Sequence, residues 1–230
     1  MTSKRKIKLD QQSIVFVISL VIFCCFSIFL SNFFTVGNLV AMMRSISVLA
    51  ILGLGMAIVV IGRGIDLSMV ALMAVPSALV MTMVDSGDGL VFSIATGVLF
   101  AIIAGGISGL LVAYAEIPAL FVTLAMGLAL AGLGQVGILK ADMVPWSDGM
   151  NPLRWIGGSS VLGIPSSILV AAFMFIAVGW FLKRTKIGRF IYSIGDNPSA
   201  ARTTGISVRP IMVLQYVLSA LIALLAGFVM

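Results

Sequence analysis

Seven stretches of mostly apolar residues, at 13–30, 45–61, 67–84, 90–113, 119–139, 166–182 and 211–230, fill most of this 230-residue chain. A helix satisfies its backbone polar groups internally, so apolar stretches of about 20 residues cross a bilayer as helices. The composition leaves little alternative. Hydrophobic residues make up 61% and charged residues only 10%, where soluble domains carry about 25% charged residues. A soluble enzyme, a nucleic-acid reader and a disordered chain are therefore excluded as classes. The expected fold is all-α, a polytopic transmembrane helix bundle with the lipid bilayer as its surroundings. It is expected to form a single membrane domain over 1–230, with a basic tail at 1–12 and a cytoplasmic loop at 183–210.

Several chemistries are missing from the outset. The chain has no histidine, which removes Ser-His triads, histidine zinc sites and histidine relays. Cys24 and Cys25 are adjacent inside an apolar run and offer no disulfide framework. No metal site and no cofactor are expected. Lys4, Arg5, Lys6 and Lys8 precede the first stretch as in a signal peptide. That stretch, at about 18 residues, is longer than a usual signal core and lacks a small-residue cleavage pattern, so it reads as an uncleaved span.

Charge placement gives the orientation. The tail holds four basic residues, and 183–210 holds Lys183, Arg184, Lys186, Arg189, Arg202 and Arg209. Both segments should be cytoplasmic, and the six spans between them form the even number this requires. With Arg63, eleven of the 14 basic residues lie inside, and Arg44, Lys140 and Arg154 lie outside. The N-terminus is thus expected in the cytoplasm. The last stretch reaches Met230 without a polar flank, so the chain reads as cut within a helix. Asn38 is the expected cap of a short interfacial or re-entrant helix at 39–44.

Small residues mark the packing faces. Ala101, Gly105, Gly109 and Ala113 recur every four residues, as do Ser219, Ala223 and Gly227. Each set forms a flat stripe on which another helix can approach closely.

Polar interruptions carry the functional reading. Gly62-Arg63-Gly64-Ile65-Asp66-Leu67-Ser68 separates two spans. Either it is a cytoplasmic turn in which Asp66 or Ser68 caps the third span and Arg63 anchors the inner face, or the helix breaks at membrane depth, where the charges would pair or face a path. Glu116 precedes Pro118 at the start of the fifth span, where a negative charge suits the helix dipole. Asp66, Ser68 and Thr123 are candidates for a substrate path or gate. In 183–210, Gly188 reads as a break leading into a short helix. Asn197 is its N-cap, Pro198 its first residue and Gly205 its left-handed stop. Such a short helix needs support by packing, on its own spans or on another protein. Gly205→Pro or Ala201→Arg is expected to uncouple transport while leaving the protein in the membrane. No Gly-x-x-x-x-Gly-Lys-Ser/Thr run occurs, so the chain lacks its own ATPase motif and reads as a transport subunit rather than an enzyme. An ion-coupled secondary transporter or channel is the alternative.

Three motifs in order carry a resemblance: Gly64-Ile65-Asp66-Leu67-Ser68, Ile117-Pro118-Ala119-Leu120-Phe121-Val122-Thr123-Leu124, and the run from Gly188 through Gly195-Asp196-Asn197-Pro198-Ser199-Ala200-Ala201-Arg202-Thr203-Thr204-Gly205 to Ile206. Together they resemble the ribose-type permease subunits of bacterial ABC importers, within the branched-chain amino acid/ribose permease superfamily. The chain departs from that pattern at Met69-Val70 and at Arg63. The resemblance implies about ten spans in a full-length relative, of which about seven are present here. It implies transport of a sugar or similar small polar solute across the bacterial inner membrane by alternating access. Its implied partners are ATP-binding subunits, a second permease subunit (the same or paralogous) and a periplasmic solute-binding protein, with no nucleic acid. It also implies that Gly195, Asp196, Asn197, Pro198, Ser199, Ala200, Ala201, Arg202 and Gly205 couple the bundle to the ATPase.

Overall fold

The apolar stretches form helices in a computed structural model that describes residues 11–138 and 148–230. The tail at 1–10, Leu139 at the end of the fifth stretch, and Lys140 and Asp142 beyond it lie outside the described residues. The chain divides into two units, 1–43 and 44–230.

In the first unit, α1 (Gln11–Phe29) is followed by a turn and the start of α2 (Val36–Ile61). Aromatic rings organise the turn. Phe23 meets Phe33 edge-on at 5.4 Å between centroids, and Phe26 lies 6.0 Å from Phe33. Asn38 is not a cap. It sits inside α2 and donates from Nδ2 to the Phe33 carbonyl at 2.7 Å. The expected short helix at 39–44 is therefore the first part of α2. The charge of Arg44 interrupts the apolar pattern between 39–44 and 45–61, but arginine is compatible with a continuing helix.

The second unit carries the rest of α2 and α3 (Met69–Asp85), α4 (Leu90–Ala113) and α5 (Ala119–Leu133), the last ending in a π turn at Gly134–Ile138. A 3₁₀ turn (Asp148–Leu153), the four-residue α6 (Arg154–Gly157) and a small antiparallel pair, β1 (Ser160–Val161) with β2 (Ile164–Pro165), follow. Leu162 and Gly163 turn that hairpin with φ of 53° and 82°, the double-positive geometry of a two-residue hairpin loop. Then come α7 (Ser166–Arg184), α8 (Lys186–Asp196), α9 (Pro198–Thr203) and α10 (Val208–Val229).

Among the described residues, five helices are long and apolar enough to cross a membrane: Val36–Ile61, Leu90–Ala113, Ala119–Val136, Ser166–Arg184 and Val208–Val229. Ser13–Phe29 and Met69–Asp85 are apolar but shorter. α3 begins only at Met69 because the chain stays non-helical from Gly62 to Ser68. It then runs unbroken through Pro76.

The core of this unit forms around α10, which packs against both α3 and α4. A Cβ on Gly105 would lie 2.7 Å from the Tyr216 carbonyl, and one on Gly109 would lie 2.7 Å from Val213 Cα. Ala101 and Ala113 on the same stripe are buried. On the facing side, a Cβ on Gly227 would meet the Met73 carbonyl of α3 at 2.5 Å. With little hydrophobic drive between helices in lipid, such backbone-to-backbone fit carries much of the association. Gly105→Ala is therefore expected to cost about 1–3 kcal/mol. Gly106→Ala, whose Cβ would find only Val217 Cγ2 at 4.0 Å, should be nearly neutral. Thermal unfolding of the two variants in detergent tests the contrast.

Candidate functional site: the gathered loops and the buried joint

α9 is built by local chemistry at both ends. Asn197 accepts at Oδ1 from the amides of Ser199 (3.0 Å) and Ala200 (3.1 Å), with Pro198 in the first helical position. Gly205 takes φ 84°. The Ile206 amide then reaches back to Ala201 O at 3.1 Å, and the Gly205 amide to Arg202 O at 3.0 Å. This pair of bonds closes a helix through a left-handed glycine. Six residues cannot hold a helix alone. Ala201, 3% exposed, packs with Ile194 of α8 and Val208 of α10 and supplies the support. Ser199, Ala200, Arg202 and Thr203 are exposed. Of the residues grouped as a coupling surface, Ala201 thus faces the chain's own core.

α8 is amphipathic. Gly188, Ile191 and Ile194 are buried, and Lys186, Arg189, Tyr192 and Ser193 are exposed. Gly188 does not break a helix, contrary to expectation. The turn lies at Thr185, whose Oγ1 accepts from the Gly188 amide at 3.0 Å. Gly188 instead lets α8 cross close to the Phe181 and Leu182 carbonyls, and Gly195 lets its end rest on the Ile61 carbonyl of α2.

The loop at 62–68 is the other half of the site. Asp66 is 1% exposed, and Ser68 and Thr123 are fully buried. Asp66 Oδ1 accepts from the Ser68 amide at 3.0 Å and from Ser68 Oγ at 2.5 Å, while Oδ2 accepts from Ser219 Oγ of α10 at 2.7 Å. Neither Asp66 nor Ser68 caps α3 through its side chain as one reading expected, because Ser68 makes no side-chain cap bond and spends its hydroxyl on Asp66. Thr123 donates to Ala119 O at 2.8 Å, with Ile65 O at 3.4 Å. Structure therefore brings Asp66 and Ser68 into one closed joint with Ser219 and sets Thr123 beside it. In the sequence Ser219 stands out only as part of a small-residue packing stripe. Its pairing with a carboxylate 153 residues away has no local sequence signal.

Two contacts gather the loops that follow α2, α4 and α7. Arg63 Nη2 donates to the Asp196 carbonyl at 2.8 Å. Glu116, expected to complement the start of α5, pairs instead with Arg209 of α10 at 3.0 Å. Arg209 also lies 5.5 Å from the Tyr114 ring centroid. All three loops therefore lie at one end of the unit, as alternating passage requires. The ion pair is exposed, so Glu116→Gln should shift stability by less than about 1 kcal/mol, measurable by thermal unfolding at low and high salt.

Away from these loops, a cleft of about 910 Å³ lies among α2, α3, α6 and α10. Arg44 and Arg154 line it together with Leu52, Met73, Ser167 and Phe228. Asp66, Ser68 and Thr123 do not reach it. Among the described residues no group of three metal-ligating acids or cysteines occurs.

The family model described as "Branched-chain amino acid transport system / permease component" matches residues 38–230. The ribose import permease protein RbsC of Escherichia coli K12 is 31% identical over 222 residues, covering 96% of this chain and 68% of the relative. RbsC of Haemophilus influenzae is 33% identical with the same coverage. The fructose import permease protein FruF of Bifidobacterium longum is 32% identical, and the chain spans 63% of it. No solved structure matches the chain significantly. Apolar helices threaded between gathered loops, and a family match over most of the length, lead to one conclusion: this chain is a multi-pass membrane protein of the branched-chain amino acid transport system permease family.

Proposed function

We propose that the chain is the membrane-spanning permease subunit of an ATP-driven importer for a sugar or similar small polar solute, and that α9 is where a separate ATP-binding subunit engages it. One observation carries the coupling role. A six-residue helix is capped at both ends and anchored by Ala201, yet leaves Ser199, Ala200, Arg202 and Thr203 exposed. Anchoring on one face and exposure on the other suit an element that transmits force from a partner to the bundle. The relatives named for ribose and fructose import support the solute class.

The remaining assignments follow from that reading. The basic residues of 183–210 and of the N-terminal tail support a cytoplasmic α9 and N-terminus for a chain in the bacterial inner membrane. A second permease subunit completes the path, and a periplasmic solute-binding protein delivers the solute. On that orientation the 910 Å³ cleft, bordered by Arg44, Arg154 and the start of α7, would face the delivery side. Nucleotide-driven movement of α9 would shift the bundle between inward- and outward-open states.

The test is uptake by vesicles carrying the chain with its co-purifying subunits. Uptake should require ATP inside the compartment that α9 faces and persist with an ionophore. Uptake that collapses with the ionophore and ignores ATP would establish the ion-coupled alternative.

A further inference from the structure

The loop between α2 and α3 touches the α8–α9 junction on one side and the middle of α10 on the other. At the first contact, Arg63 donates from Nη2 to the carbonyl of Asp196, the last residue of α8 and the neighbour of the α9 N-cap. Carbonyls at a helix C-terminus lack intrahelical donors and carry the negative end of the dipole, so a guanidinium is well suited to them. Beside this bond the Gly195 backbone lies directly on the Ile61 carbonyl, with no room for a Cβ.

At the second contact the fit is equally close. Gly62 lies against the Gln215 side-chain amide. A Cβ on Gly64 would lie 2.6 Å from the Tyr216 hydroxyl. Asp66 accepts from Ser219 at 2.7 Å. Gln215, Tyr216 and Ser219 are all buried residues of α10. Seven residues thus connect the surface helix pair to a buried joint.

Arg63 holds this connection in an unusual backbone state. Its φ is 65°, a left-handed conformation that is uncommon for a residue with a Cβ. The side chain is exposed and reaches a partner 133 residues away. A solvated anchor at the membrane surface would not need that specific bond.

We propose that Arg63 is a positioning residue that latches the α8–α9 pair to the α2–α3 turn, so that displacement of α9 is delivered to the Asp66–Ser219 joint in α10. This rests on the reading of α9 as the element a partner ATPase grips. The end of α2, the turn and α10 then move together; the Gly195–Ile61 and Ala201–Val208 packing contacts also join them, and the guanidinium–carbonyl bond is the polar link that one substitution can cut.

Two variants separate side chain from backbone. Arg63→Gly removes the guanidinium but accepts the left-handed conformation freely, so the turn keeps its shape. Arg63→Lys keeps a charged donor. The readout is ATP hydrolysed per solute carried, in vesicles containing the chain with its ATP-binding and solute-binding partners. Arg63→Gly should raise that ratio at least fivefold with thermal unfolding unchanged, and Arg63→Lys should restore part of it. A wild-type ratio in Arg63→Gly overturns the latch. So does a parallel fall of hydrolysis and uptake, which would mark Arg63 as merely structural. If wild-type vesicles show no ATP-dependent uptake, the parent reading fails and the latch with it. Repeating the assay without anionic lipid separates a headgroup anchor: the latch predicts the same wild-type ratio, and a wild-type loss overturns it.

Discussion

Ala200→Arg and Ala201→Arg, one residue apart, should both reduce ATP-driven uptake at least tenfold, but for different physical reasons. Ala201 is 3% exposed among Ile194, Val208 and Ile206. A guanidinium forced there loses its hydration without gaining a partner, a penalty of several kcal/mol. α9 should detach, and limited proteolysis should cut near 197–205. Ala200 is exposed, so an arginine there leaves the caps and the docking intact, with stability within about 0.5 kcal/mol of wild type. Its effect should come only from obstructing a partner. Uptake, proteolysis and membrane abundance measured together distinguish the two. If Ala200→Arg transports normally, the exposed face of α9 is not the partner's seat.

Asp66→Ala should be the most destabilising single change in the 62–68 loop. The carboxylate is 1% exposed and accepts three hydrogen bonds, from the Ser68 amide, Ser68 Oγ and Ser219 Oγ. Its removal leaves three buried donors without an acceptor. Hydrogen bonds to charged groups contribute about 1.5–3 kcal/mol each, though not additively. A total loss of about 3–5 kcal/mol is the expected outcome. Ser219→Ala removes one donor and should cost about 1.5–3 kcal/mol. The double variant Asp66→Ala/Ser219→Ala should cost less than the sum, because the two groups share a bond. Thermal or chaotrope unfolding in detergent measures all three. Additive costs would show that the 2.7 Å contact contributes nothing.

These results would also locate what the sequence makes legible. Spans are readable because lipid demands long apolar helices, and that demand is written residue by residue. The ends of α9 are readable for a similar reason: Asn-Pro at its start and glycine at its stop act on amides and carbonyls within a few positions. Glycine is more ambiguous. Gly188 looks like an interruption in the sequence, yet it lies inside α8 and, like Gly195, serves close approach, to Leu182 and Ile61 respectively. The difference depends on a neighbour that the local sequence does not name.

The β1–β2 hairpin escapes notice because its turn is Leu162-Gly163 rather than an Asn-Gly or Asp-Gly pair. The buried joint is illegible for a deeper reason. Asp66 and Ser219 are 153 residues apart, and one serine in an apolar helix looks like any other small residue. Arg63 could be read as an anchor from its position between spans. Its bond to Asp196 depends on where α8 ends, which only the folded chain reveals.

The account depends on α9 being gripped by a nucleotide-hydrolysing subunit. Site-directed cross-linking tests this most directly. In a background with Cys24→Ser and Cys25→Ser, a cysteine is placed at Ser199 on α9, and another at Leu162, the hairpin tip before α7, which is 98% exposed. Ser199→Cys should cross-link to an ATP-binding subunit in membranes, with a yield that changes when nucleotide is added. Leu162→Cys should not cross-link to it. Capture of the ATPase by Leu162→Cys but not by Ser199→Cys would contradict the account, as would no capture by either.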